Sequence, residues 1–368
     1  MKIAYISVHR DGTGYANSAR DFIKCLTEQG ADIVPVWFTL NSNPVFVDDK
    51  IQKRSDLNDI DAVIQQTIPN SFVRIEGVKN IGMFYWETSD FRSSGWQYSC
   101  NLMDEIWVTT PQQKQACIDS GVKVPVKEVT RPTDFSKYGN VKTKIQFPSE
   151  IEDTYKFYTI SDFSYRKNIS GVVAAFLSEF NASDNVSLII KSYVDTKTPR
   201  ESLEIIQRQI TEIKNEIKKP EGRHPKIHLV TQMMTDDGIL SLHNSCDCFV
   251  SASRGEGECI PAFDAAAMGK PVIATNWNGI QKTFGDSYEP TVKSMIKKPV
   301  FAMANKSIVP GLYSHREWWM EGSLSEMMEK MRSARNGEFD KIASENQAKM
   351  FEKFSYKNVG PSLLEAIK

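Results

Sequence analysis

The feature that most limits this chain's fold is an alternation, met twice, of short apolar runs with longer stretches of helical period. IAYIS (residues 3–7), IVPVWF (33–38), AVIQQT (62–67), IGMFYW (81–86), EIWVTT (105–110) and VKEVT (126–130) read as strands. Between them, Tyr15 to Gly30 carries Ala16, Ala19, Phe22, Ile23 and Leu26 at helical spacing and stops at a glycine. Gln112 to Ser120 reads as a helix ending at Gly121. After an interruption the pattern resumes. FYTISD (157–162), SLIIKS (187–192), IHLVT (227–231), CDCFVS (246–251) and PVIAT (271–275) read as strands. Helices are predicted over Gly171 to Phe180 and Glu201 to Lys219, around Leu240 to Asn244 and Phe263 to Met268, and from Leu324 onward. Strands that alternate with helices predict parallel, doubly wound α/β sheets.

The interruption falls at residues 131–155, where Pro132, Gly139, Pro148 and many charges break the pattern. With roughly 100–200 residues per domain, a chain of 368 residues is expected to hold two. The division predicted here is 1–145 and 146–349, with the tail beyond considered below. Lys and Arg total 45 against 46 Asp and Glu. That balance lacks the basic excess of a dedicated nucleic-acid binder, so nucleic acid is a disfavoured partner. No apolar run approaches the ~20 residues that span a bilayer. The start, MKIAYISVHRDGTGY, lacks the apolar core and cleavage site of a signal peptide, and a cytoplasmic protein is expected. The six cysteines are scattered and suit reduced thiols better than a disulfide framework. No Cys or His spacing suggests a metal site.

Ser251 to Thr275, SASRGEGECIPAFDAAAMGKPVIAT, carries the most chemistry. A strand runs into an acidic turn bracketed by Gly255 and Gly257. A helix, Gly269 and a buried strand follow. Glu256 lies in the turn. Asp264, with seven residues between it and Glu256, is expected in the first turn of the helix. Backbone N–H groups are free at a helix start. Two carboxylates there can accept bonds from several hydroxyls, and the glycines let a ligand approach the backbone. The plainer alternative is that both acids cap the helix.

This segment resembles the E-x7-E signature of retaining GT-B glycosyltransferases of the family-4 type, the glycosyl transferases group 1. Glu256, Gly257, Pro261, Asp264, Ala265, Gly269, Pro271 and Val272 carry the likeness. FSYRKNISGVVAAFLSEF (163–180) resembles the family's basic turn, and AVIQQTIPNSF (62–72), GMFYWETSD (82–90) and DEIWVTTP (104–111) resemble a sub-branch with a W-E-T motif. The resemblance implies a GT-B fold: two Rossmann-like doubly wound domains facing a central cleft. It also implies that a C-terminal helix, about 350–368, packs back on the first, acceptor-side domain. The second domain would bind a nucleotide-diphosphate sugar and transfer it with retention to a hydroxyl acceptor, such as a glycan or lipid-linked sugar.

By the same resemblance Glu256 meets the donor sugar, Asp264 the ribose, and Lys167 the diphosphate. Asp162 stands where the family places an arginine, so Arg166 is the candidate substitute. Gly257, Glu258, Cys259, Gly14 and Asn278 complete the donor set. His9, Tyr15 and Glu87 are the acceptor-side candidates, lying at the ends of predicted strands or beside the Gly12-Thr13-Gly14 turn. No cofactor or metal is expected. Three alternatives stay open: a phosphorylase or epimerase on the same fold, a non-catalytic nucleotide-sugar binder, and a transferase acting on a nucleic-acid base. Asp59-Ile60-Asp61 reads as a strand-entry turn rather than a metal motif. Arg131 is placed to reach a phosphate or a carboxylate. Trp277 reads as pocket lining or packing.

Overall fold

The computed structural model describes residues 1–37, 59–139, 141, 143–220, 222–300 and 312–368. Phe38, the last residue of the strand predicted at 33–38, lies outside the described residues. The chain divides into two compact units. One comprises Met1–Phe135, Val309–Glu317 and Phe351–Lys368, and the other Ser136–Ile308 and Trp318–Met350.

In the first unit, β1 (Lys2–Ser7), β2 (Asp32–Trp37), β3 (Ala62–Gln66), β4 (Lys79–Met83), β5 (Glu105–Val108) and β6 (Val126–Glu128) form one sheet. Its order is β2-β1-β3-β4-β5-β6 and every pairing is parallel. β3 and β5 are buried along their whole length, and each carries a three-residue apolar run, Ala62-Val63-Ile64 and Ile106-Trp107-Val108. Helix Gly14–Glu28 starts where the Thr13 hydroxyl accepts from Ala16 N at 3.2 Å. Its Phe22 and Leu26 pack on Ile3, Tyr5, Ile64 and Trp107.

The C-terminal helix Tyr356–Ile367 belongs to this unit, and Val359, Leu363 and Ile367 enter the same core. Two bonds to the buried Asp21 carboxylate hold its start. Tyr356 Oη donates at 2.8 Å, and Arg131 pairs with it at 2.9 Å. Arg131 is thereby committed to a carboxylate. Gly360 meets Gln29 so closely that a Cβ there would stand 2.5 Å from its side chain.

In the second unit, β7 (Tyr155–Asp162), β8 (Val186–Tyr193), β9 (Lys226–Val230), β10 (Cys248–Ser251) and β11 (Val272–Ala274) form a parallel sheet of order β11-β10-β7-β8-β9. Helix Pro199–Ile217 opens with a Thr198–Glu201 capping box and buries Ile206, Ile210 and Ile213 at helical spacing. Lys219, predicted at that helix's end, instead donates to Phe180 O at 2.8 Å in the turn beyond it. All six cysteines are free and buried. Among the described residues no helix is long and apolar enough to cross a membrane.

In each sheet the winding direction reverses next to the first strand, between β1 and β3 and between β7 and β10. A parallel sheet opens a ligand crevice at the carboxyl end of such a reversal. The structure also adds two strands absent from the sequence reading. β12 (Met295–Pro299) and β13 (Trp318–Gly322) form an antiparallel pair in which Lys297 lies opposite Met320. Their pairing is set across a long intervening segment, so no short turn signal marks it.

Candidate functional site

The carboxyl ends of β7 and β10 bring the charged candidates together. After β7 the chain turns through 163–168. Asn168, at φ 51°, caps helix Ile169–Glu179 with its side chain on Gly171 N and donates to Ala252 O at 3.1 Å. After β10 the chain turns through 252–259. The two turns are laced by backbone: Arg254 N donates to Arg166 O at 2.8 Å, and Arg166 Nη1 donates to Gly255 O at 2.7 Å. Residues 89 positions apart in sequence thus become neighbours across the point where the winding reverses.

Lys167 Nζ lies 2.8 Å from both oxygens of Glu256, and Arg166 Nη1 lies 3.7 Å from Oε2. Glu256 is only 6% exposed. Such a pair adds little net stability because desolvation offsets its attraction, yet removing one partner alone leaves a costly buried charge. Asp162 joins the cluster. Burial would push its carboxyl up, but Lys167, Arg166 and the Ser164 hydroxyl outweigh that and hold it below its usual value. The group therefore holds two cations and two carboxylates at one strand end.

The acidic turn is tightly built. Gly279 N donates to Glu256 O at 3.0 Å, and a Cβ on Gly279 would stand 2.6 Å from Glu258 Cα and Gly257 O. Cys259 and Asn278 both hold positive φ, at 49° and 55°, and both are buried. Non-glycine residues at such angles cost of order 1–3 kcal/mol each and concentrate at functional sites. The Cys259 thiol is pushed up to about 12 by burial, so it is a neutral packing group.

Asp264 needs a correction. Helix Ile260–Ala267 begins earlier than the periodicity suggested, so Asp264 lies in its second turn, not its first. The cause is Pro261, whose fixed φ and missing N–H suit a first turn. The free N–H groups of the helix start therefore belong to the residues near Ile260. Asp264 is instead held by side chains: Tyr138 Oη donates to Oδ1 at 2.6 Å and Lys137 Nζ lies 3.5 Å away. Behind it, His243 is fully buried with Nδ1 2.7 Å from Tyr158 Oη. Burial, with Lys137 and Lys270, lowers His243 to about 4 although Asp264 opposes the shift, so the ring is neutral at pH 7.

The first unit's candidates behave differently. Gly14 opens its helix and is exposed. Tyr15 accepts from Tyr85 N at 2.9 Å and meets the Tyr85 ring edge-on at 5.0 Å. Burial raises its phenol, and Glu87 adds to the rise, so Tyr15 and Glu87 are electrostatic neighbours. Glu87 is half-buried, four residues past the end of β4, which stops at Met83 rather than at Trp86. His9 is buried with Nδ1 2.9 Å from Ser7 Oγ. Burial, then Arg10 and Arg20, lower it to about 4. Asp61 serves its turn by accepting from Lys2 N at 2.7 Å, as a strand-entry residue does.

Four residues of the site carry no legible signal in the sequence. Arg254 stacks over the Tyr165 ring at 4.0 Å and pairs with Glu321 of β13 at 2.9 Å. Lys298 of β12 also pairs with Glu321. These bonds clamp the β12–β13 hairpin over the 163–168 turn. Trp277 packs on Trp318 of the same hairpin, with ring centroids 5.8 Å apart. Tyr138, on Asp264, is the fourth, and its partner is 126 residues away.

Residues 141–299 match the family model described as glycosyl transferases group 1. No curated protein matches the sequence. Among solved structures, the HepE protein of Anabaena in complex with UDP and glucose is similar over 100% of this chain and 99% of its own, at 15% identity and a TM-score of 0.69. The E. coli trehalose-6-phosphate structure bound with UDP-2-fluoro glucose is similar over 100% and 99%, at 9% identity and 0.67. Sucrose-phosphate synthase from Thermosynechococcus elongatus is similar over 100% and 98%, at 13% identity and 0.63.

Proposed function

We propose that this chain, which carries a group 1 glycosyltransferase domain on a GT-B fold of two Rossmann-like units, moves a sugar from a nucleotide-diphosphate donor to a hydroxyl acceptor with retention of configuration. The observation that carries the donor reading is the Lys167–Glu256 pair at the winding reversal of the second sheet, 2.8 Å at both oxygens. The fold of structures solved with UDP or UDP-2-fluoro glucose supports it.

In this reading Lys167 and Arg166 hold the diphosphate. The bond from the anomeric carbon to the diphosphate oxygen breaks, and negative charge develops on that oxygen. Two fixed cations in a site shielded from water stabilise that charge more than water does. Donor binding exchanges the partner of Lys167 from Glu256 to phosphate and frees the Glu256 carboxylate to accept from sugar hydroxyls. Asp264, oriented by Tyr138, accepts from the ribose. Gly257, Glu258, Cys259 and Asn278 shape the donor wall. Tyr15, Glu87 and His9 handle the acceptor. The neutral His9 ring presents a hydrogen-bonding nitrogen rather than a charge. The acceptor oxygen forms the new bond on the face the diphosphate leaves, and its hydroxyl proton passes to the departing diphosphate oxygen. No metal enters this mechanism, and turnover is expected to survive a chelator.

The test is transfer, or donor hydrolysis, with a panel of nucleotide sugars. Activity is expected from the wild type and not from the Glu256→Ala, Lys167→Ala double variant. Undiminished activity in the double variant overturns the site assignment.

A further inference from the structure

Lys191 is a buried cation that the mechanism above does not use. It is 5% exposed. Leu188 and Ile190 of β8 point into the core beneath helices Ile169–Glu179 and Pro199–Ile217. By strand alternation Ile189, Lys191 and Tyr193 lie on the other face. The parallel register sets Lys191 beside Ile160 and Tyr193 beside Asp162, at the carboxyl end of the sheet. Lys191 Nζ lies 5.7 Å from the Tyr193 ring centroid. Asp162 and Arg166 in turn act electrostatically on the Tyr193 phenol, which burial raises. Lys191 is thus linked through Tyr193 to the charge cluster one strand away.

Its surroundings leave the ammonium unmatched. Among the described residues no carboxylate lies within ion-pair distance of Lys191 and no hydrogen bond reaches its Nζ. Burial pulls its pKa down. A lysine side chain buried to this extent with no carboxylate partner costs the fold stability. Meanwhile the neighbouring cluster has Arg166 and Lys167 against Asp162 and Glu256, so its formal charge is zero. A neutral cluster does not by itself balance the charge of an arriving diphosphate. Arg254 and Lys298 against Glu321 add one positive charge at the same turn, and Lys191 adds a second that no carboxylate answers.

We propose that Lys191 is an anion-binding residue of the donor site, meeting a phosphate of the nucleoside diphosphate beside Arg166 and Lys167. This rests on the donor reading above and adds a residue that determines how strongly the diphosphate is held. The occupant is defined by its chemistry: a multiply charged phosphate entering at the carboxyl end of β8.

Calorimetry on the full chain tests it. UDP is the first probe, followed by GDP, ADP, CDP and dTDP, with wild type, Lys191→Met and Lys191→Arg. Lys191→Met is expected to bind about tenfold more weakly, because a charge-assisted bond to phosphate is lost. The salt dependence of the remaining affinity becomes shallower. Lys191→Arg keeps most of the affinity. Thermal unfolding of Lys191→Met is expected at or above the wild-type midpoint, since an unmatched charge has been removed. Should that variant not fold, Lys191→Gln carries the same comparison. Wild-type affinity and salt dependence in Lys191→Met overturn the assignment while leaving the donor reading intact. A wild-type protein that binds none of the five diphosphates overturns the donor reading and this inference with it.

Discussion

The two units place functional candidates at equivalent points, yet they dress those points in opposite ways. At the reversal of the second sheet, charges face charges: Lys167 and Arg166 meet Glu256 and Asp162. At the reversal of the first sheet, a chain of neutral side chains is joined by hydrogen bonds. Tyr5 donates to Gln66 at 2.5 Å, Gln66 donates to Ser18 at 3.1 Å, and Ser18 bonds Tyr85. Arg20 is turned onto the carbonyls of His9 and Asp11, at 3.1 and 3.2 Å. An internally paired charge cluster can trade partners when an ionic ligand arrives. A satisfied neutral network holds shape and leaves recognition to a few half-buried groups such as Glu87. The difference suits the roles proposed above, a diphosphate site in the second unit and a hydroxyl acceptor met by the first.

The largest effect that would sharpen this contrast is on turnover. Lys167→Ala is expected to lower transfer by about 10²–10³-fold, the range for removing one preorganised group that stabilises developing charge. It also strands Glu256 in a buried setting, so Lys167→Ala, Glu256→Gln should refold the turn without restoring turnover. Steady-state rates and thermal midpoints measured together separate the two effects. A rate within threefold of wild type would break the contrast, because the paired charges would then be structural only.

Next in size is an effect on the acidic turn. Gly279→Ala forces a Cβ against the backbone of Gly257 and Glu258. It is expected to cost about 1–3 kcal/mol of stability, as overpacking does, and to weaken donor binding with it. Urea unfolding reads the first quantity and calorimetry the second. Stability equal to wild type would mean that the turn yields freely.

Each unit also buries one histidine whose pKa is lowered to about 4, His9 in the first and His243 in the second. Their ordinary value is about 6.5. A histidine depressed in the folded state favours folding fully above the unfolded value, and that stability is lost as pH falls toward the folded value. The unfolding free energy should therefore decline between about pH 6.5 and pH 4, by up to on the order of 3 kcal/mol per histidine. His243→Gln should flatten the decline. An unchanged slope in that variant would contradict the neutral, buried assignment.

The smallest effects concern Tyr138 and Glu87. Tyr138→Phe removes the 2.6 Å bond to Asp264. Nucleoside diphosphate affinity should fall only about two- to tenfold, the net worth of one typical hydrogen bond. Glu87→Gln should raise the KM for acceptor while leaving donor affinity unchanged. A fall in donor affinity instead would move Glu87 out of the acceptor role.

How much of this was legible in the sequence follows from the range of the interactions. Both sheets were readable because buried parallel strands leave short apolar runs, as in Ala62-Val63-Ile64 and Leu188-Ile189-Ile190, and because helices such as Pro199–Ile217 keep period. Glu256, Asp264 and Lys167 stood out because each lies in a local motif beside a strand end. The helix start at Ile260 was misjudged because alanines and a proline carry little periodic signal. The β12–β13 hairpin, the Arg254–Glu321 pair and the Tyr138–Asp264 bond were not legible. Their partners lie 67 and 126 residues apart in the two side-chain pairs, and only the folded chain defines them. Lys191 lay within a predicted strand, SLIIKS, and nothing local shows that the lysine is largely buried and has no carboxylate partner.

The central claim is that the two turns after β7 and β10 together form the donor site. Amide hydrogen exchange with and without UDP tests it most directly. The account predicts that added UDP protects residues 163–168 and 253–259 together, and that Lys167→Ala abolishes both effects at once. Binding of UDP with protection confined to other segments, and neither turn slowed, would contradict it.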